Sequence, residues 1–149
     1  MVIGIFGESC TGKSTIARQV SRKTGAVIHT GNDYLRMAKS QPEAKQQFCQ
    51  LLQAAQQRSE TVIYVISEPE QLALLPEGAL RVLVTADLET IKGRFAQRMH
   101  GQLPQPVEKM LERKHGCFDG QSRDVLIEAS CVSPETAAEQ ILACLPDRA

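Results

Sequence analysis

Residues 7–14 read Gly-Glu-Ser-Cys-Thr-Gly-Lys-Ser and directly follow the apolar run Val2 to Phe6. No other feature constrains the chain as strongly. Gly7 and Gly12 permit backbone conformations and a close approach that a Cβ would block. Successive N–H groups of such a loop turn inward and cradle a phosphate, and the helix that follows adds its positive N-terminal end. In this pattern Lys13 reaches the β- and γ-phosphates of a nucleoside triphosphate, and the Ser14 hydroxyl ligates Mg²⁺. A chance match in a chain of this length is on the order of a few in a thousand. The preceding strand and following helix tighten it further. Residues Gly7, Glu8, Ser9, Cys10, Thr11, Gly12, Lys13, Ser14 and Thr15 are therefore expected to bind ATP or GTP with Mg²⁺.

The rest of the chain alternates short apolar runs with helical patterns. Strands are expected at Val2 to Phe6, Ala26 to His29, Thr61 to Ile66, Leu80 to Val84 and Val125 to Ile127. A first helix should run from the glycine loop to Thr24, with Gly25 as its stop. A second should open near Asn32 or Asp33 and end before Pro42, and a third should cover Pro42 to Arg58. Phe48, Leu51, Leu52 and Ala55 share one face of that third helix. Asp87 caps a helix with the stripe Leu88, Ile91, Phe95 and Met99. Pro106 opens a short helix ending near Lys114, and Ser133-Pro134 opens the last one. Five strands separated by helices predict an α/β chain: a three-layer α/β/α sandwich around a five-stranded parallel sheet. One domain spans residues 1–149, with a helical region at about 30–58 and a small Pro/Gly-bounded segment at about 99–116.

Composition removes several function classes. The 17 basic and 17 acidic residues cancel, so no bulk grip on nucleic acid or an anionic membrane is expected. No apolar run approaches the ~20 residues of a membrane span, and the first residues lack a signal-peptide pattern. The cysteines number five, with no Cys-x-x-Cys. They read as reduced thiols of a cytoplasmic protein, Cys10 among them as a filler of a variable loop position. His29, His100 and His115 lack ligand-like spacing to them, which speaks against zinc.

Two further clusters carry charge suited to phosphoryl transfer. Arg94 and Arg98 are four residues apart on one helix face. Arg113 and Lys114 lie near the far end of the 99–116 segment, so that cations flank it at both ends, as on a closing lid. The other cluster, His29 to Arg36, follows the second strand, at the strand end where open α/β sheets bind ligands. There Asp33 can orient or deprotonate an acceptor hydroxyl. Arg36 can hold an acceptor anion, with Tyr34 between them.

These segments together resemble the nucleoside-monophosphate-kinase-like P-loop kinases, the group of adenylate, cytidylate and shikimate kinases. Thr30-Gly31-x-Asp33-x-Leu35-Arg36 is similar to the Thr-Gly-Asp-x-x-Arg acceptor segment, with one residue inserted. Arg94-x-x-x-Arg98 resembles the arginines that open the lid. Glu112-Arg113-Lys114 through Cys117-Phe118 resembles the region that closes it. Arg123-Asp124 through Ser133-Pro134-Glu135 is similar to the last strand and helix, whose connecting loop packs on the nucleotide base. The resemblance implies a P-loop kinase fold with a short helical lid. It also implies transfer from Mg-ATP to a small acceptor, a nucleotide or another small anion. Lys13, Arg94, Arg98, Arg113 and Asp33 would be catalytic, and Asp33, Tyr34 and Arg36 would bind the acceptor. Two departures stand out. The third strand ends Ile66-Ser67-Glu68 where the group carries an Asp that helps position Mg²⁺, so Ser14 and Glu68 are the metal candidates. Lys114 replaces the usual Asp after the lid arginine. A nucleotide-binding regulator without efficient transfer, or a P-loop hydrolase, stays open as the alternative.

Overall fold

The computed structural model describes residues 1–58 and 60–145. Five strands, β1 (Val2–Phe6), β2 (Val27–Thr30), β3 (Val62–Ile66), β4 (Leu80–Thr85) and β5 (Val125–Glu128), form one sheet in the order β2-β3-β1-β4-β5. Every neighbouring pair is parallel. β1 and β3 are buried along their full length, as their unbroken apolar runs require of strands covered on both faces. β2 is an edge strand and is more exposed. It begins one residue later than the sequence suggests and runs on through Thr30, because its ladder with β3 extends to Thr30 opposite Val65.

Alternating side chains divide the core into two layers. Ile3, Ile5, Ile63, Val65, Val82 and Val84 pack beneath α1 (Lys13–Thr24) and α5 (Pro134–Ala143). Val2, Phe6, Tyr64, Ile66 and Leu83 face α2 (Gln41–Gln57) through Phe48 and Leu52. Phe48 is fully buried. Its ring meets Tyr64 edge-on at 4.9 Å and stacks on Tyr34 at 5.1 Å.

The ends of the helices follow local chemistry. Gly25, at φ 73°, closes α1 by donating its N–H to the Ser21 carbonyl. Ser40 caps α2 through the Glu43 N–H, and Ser133 caps α5 through the Thr136 N–H. Helix α3 (Leu88–Arg98) starts on Asp87, which accepts from the Thr90 N–H at 2.7 Å. α4 (Gln105–Lys114) folds back on α3. Lys92 pins the two helices by pairing with Glu108 and Glu112. Ile91 and Leu111 form a third, small apolar cluster between them. Of the expected α3 stripe only Ile91 is fully buried, because α3 leaves the sheet end and meets α4 rather than a strand.

The helix expected from Asn32 to before Pro42 is instead one 3-10 stretch, Asp33–Met37. Ala38 is extended, and Ser40 restarts the chain as α2. A second 3-10 stretch, Pro69–Leu74, follows β3 and buries Leu72 and Leu74. Among the described residues no helix is long and apolar enough to cross a membrane.

Candidate functional site

β1 lies between β3 and β4, so the loop that follows it emerges at the middle of the sheet's C-terminal edge. The Gly7 N–H donates to the Ile66 carbonyl at 3.2 Å. A Cβ at Gly7 would run into the Val84 carbonyl oxygen. Gly12, at φ 98°, turns the loop into α1. Gly7→Ala is therefore expected to cost about 1–3 kcal/mol, as crowding in a packed core does, and to open the loop. Denaturant unfolding alongside calorimetric titration with Mg-ADP measures both effects. An alanine variant with unaltered stability and binding would mean that the loop does not need this close approach.

Within the loop the Glu8 carbonyl accepts two bonds, from Lys13 Nζ at 2.5 Å and from Thr11 Oγ1 at 2.9 Å. Lys13 is only 5% exposed. Burial pushes its ammonium down from the ordinary 10.5 to about 8, and the nearby Arg98 charge acts in the same direction. Cys10 is held at φ 65°, a left-handed conformation unusual for a non-glycine residue. Its side chain is buried with Ala86, Ile91 and Leu111.

Arg94 crosses from α3 to the loop and donates from Nη1 to the Cys10 carbonyl at 3.1 Å. Two clefts flank this contact. One, of about 550 Å³, runs between Arg94, Gln97 and Arg98 on one wall and Ala129, Val132 and Pro134 on the other. The second, of about 360 Å³, takes in Ser9, Lys13, Ser14, Thr30 and Ser67. Both are lined by Cys10, Gly12, Thr15 and Arg98. The clefts thus meet on the phosphate loop with Arg98 at their junction.

The other sequence-derived candidates fall in different places. Asp33 and Arg36 are exposed on the 3-10 stretch after β2, and neither lines the clefts just described. Tyr34 uses its ring to stack on Phe48. Desolvation lowers the basicity of the neighbouring His29, with the Asp33 charge opposing. Arg113 lines an outer groove of α4 with Gln105, Pro106, Lys109 and Glu112, not the phosphate loop. Glu68 pairs with Lys114 at 3.4 Å.

Sequence reasoning passed over several residues. Gln97 lies between the two arginines in sequence and shares their wall. Ser67 and Thr30 border the second cleft, at the ends of β3 and β2. His115 and Gly116 bond the Glu8 carboxylate, at 3.1 Å each. Only the Ser67 and Thr30 positions carried a signal, since the ends of parallel strands are where such sheets bind ligands.

Ser14 lines the smaller cleft and offers a hydroxyl, a hard oxygen donor of the kind Mg²⁺ prefers, whereas Glu68 lines neither cleft and is paired with Lys114. Among the described residues no group of three or more His, Cys, Asp or Glu forms a cage of its own. A single hydroxyl suits an ion that takes most of its shell from phosphate oxygens and water.

Solved structures share this architecture. The shikimate kinase of Acinetobacter baumannii, in complex with shikimate, superposes with a TM-score of 0.65 at 15% identity, over 95% of this chain and 90% of that one. The fold is that of a P-loop kinase. A sugar kinase from Janibacter sp. gives 0.63 at 18% identity, over 95% and 92% of the two chains. The deoxyadenosine kinase of M. mycoides gives 0.55 at 15%, over 96% and 97%. At these identities the likeness is one of fold. No family model matches the chain, and no curated protein matches it in sequence.

Proposed function

We propose that the protein is an ATP-dependent small-molecule kinase that transfers the γ-phosphoryl group of Mg-ATP to a small anionic acceptor, most readily a nucleotide. One observation carries this reading. Two clefts share the phosphate loop and the single arginine Arg98. A hydrolase needs one cleft and a water; a transferase needs a donor and an acceptor that meet end to end.

In this scheme the larger cleft takes the base and ribose, and the loop from Gly7 to Thr15 takes the phosphates. Lys13 leaves the Glu8 carbonyl for phosphate oxygens. Arg98 stabilises charge on the group in transit, which is where most of the catalytic effect of such enzymes arises, and Arg94 braces the loop beside it through the Cys10 carbonyl. Arg113 would join them only if α4, as the lid, swings inward. Ser14, with Glu68 released from Lys114, would hold Mg²⁺, which supplies charge neutralisation on the phosphates when bound. Asp33 orients the acceptor hydroxyl and Arg36 holds its anionic group, with Tyr34 as a wall. These three also require the acceptor segment to move toward the smaller cleft.

The Glu68–Lys114 pair favours a second reading, a nucleotide-binding regulator in which the lysine keeps the metal candidate occupied. Purified protein incubated with Mg-ATP and a panel of nucleoside monophosphates, sugars and hydroxy acids separates the possibilities. Acceptor-dependent ADP formation supports the kinase. ADP release indifferent to every acceptor shows a hydrolase, and binding without turnover shows the regulator.

A further inference from the structure

A carboxylate in a phosphate loop is an odd choice, because it adds negative charge where a triphosphate must sit. Glu8 resolves the conflict by turning away from the loop's interior. Its Oε1 lies 3.1 Å from His115 Nδ1, and its Oε2 accepts the Gly116 N–H at 3.1 Å. The Glu8 side chain is only 11% exposed. Gly116 sits at φ 81°, immediately beyond the C-terminal end of α4. Two residues earlier, Lys114 is gripped by Glu68 from the end of β3. Three consecutive residues at the root of α4 are thus held by two carboxylates from the sheet's C-terminal edge. Cys10 adds a third tie through its apolar contacts with α3 and α4.

We propose that Glu8 is a positioning residue that straps the root of the α4 lid to the phosphate loop, so that nucleotide in the loop sets the position of the lid. The coupling runs through one residue. The Glu8 carbonyl is the acceptor on which Lys13 Nζ and Thr11 Oγ1 converge, while its carboxylate holds His115 and Gly116. Phosphate that draws Lys13 away removes one of the two bonds fixing the Glu8 main chain, and the strap is re-aimed with it. The assignment of a lid rests on the kinase reading; the strap itself does not.

Hydrogen exchange of the peptide covering residues 114–118 tests the strap without any acceptor. In the wild-type protein that peptide should change its exchange rate when Mg-ADP is added. Glu8→Ala should raise its rate about tenfold in the free protein and abolish the response to Mg-ADP. Glu8→Gln keeps an amide oxygen for the Gly116 N–H, so it should recover most of the protection at Gly116. Where an acceptor is found, Glu8→Ala should lower kcat about tenfold with the ATP KM within threefold, and Glu8→Gln should restore part of kcat. Exchange at 114–118 that is identical in the wild type and both folded variants overturns the strap, whatever the turnover. Absence of turnover with altered exchange overturns only the kinase reading.

Discussion

Replacing Lys13 with methionine should abolish phosphate binding and at the same time make the empty protein more stable. The ammonium is buried, and burial holds it near 8 instead of 10.5. That depression corresponds to about 3 kcal/mol of unfavourable free energy for keeping the charge in the fold. The bond to the Glu8 carbonyl offsets about 1 kcal/mol when it is lost. Methionine preserves the length and most of the packing of the stem. The net expectation is a gain of about 2 kcal/mol, or roughly 4–8 °C in Tm for a chain of this size. The sign with pH is fixed by linkage. Below pH 8 both folded and unfolded chains carry the proton, and the variant's advantage is full. Between 8 and 10.5 the unfolded chain binds more protons, so wild-type stability rises with pH and the advantage fades. Urea unfolding of both proteins at about pH 7 and about pH 10, with titration by Mg-ADP, reads both effects. A methionine variant less stable than wild type at neutral pH would show that the ammonium is a net support of the empty loop. Retained nucleotide affinity would remove Lys13 from the site.

This trade of stability for binding is why the loop was the easiest feature to read. A phosphate-binding loop owes Gly12 and Lys13 to its ligand, and Gly7 also to its close approach to the Val84 carbonyl, so on the proposed reading the pattern stands out from an ordinary structural background. The sheet was legible for a related reason. β1 and β3 are buried on both faces, and only unbroken apolar runs satisfy that. Caps at Asp87 and Ser133 were equally plain, since their side chains answer to the next three residues alone. The Asn32 to Pro42 stretch was not legible as it folds. Its shape depends on Tyr34 stacking on Phe48 and on the Gln71 amide donating to Asn32 Oδ1 at 3.0 Å, contacts from elsewhere in the chain. The strap at Glu8 was invisible for the same reason: 107 residues separate its carboxylate from His115. Arg94 and Arg98 were identified from spacing, but spacing could not say that one would bind the loop itself and the other stand between two clefts.

That difference predicts a division of labour between the two arginines. Arg94 holds the Cys10 carbonyl, and Cys10 sits in a left-handed conformation that needs support. Arg94→Ala should therefore loosen the loop, weakening Mg-ADP binding about tenfold. Lysine should not rescue it well, since a single ammonium does not reproduce the planar fork that reaches across. Arg98 is exposed and lines both clefts. On the proposed reading its charge meets a group that lies between donor and acceptor. Arg98→Ala should leave nucleotide affinity within about threefold and lower the transfer rate about 10³-fold, the low end of what an arginine in that position contributes. The double variant should combine the two losses, cutting turnover far more than it weakens binding. Single-turnover measurements at saturating nucleotide, with affinity from calorimetry, separate the two quantities. If Arg98→Ala weakened binding and left the rate constant unaltered, both arginines would serve the donor alone. The shared junction of the two clefts would then carry no argument for transfer, and the regulator would be the better reading.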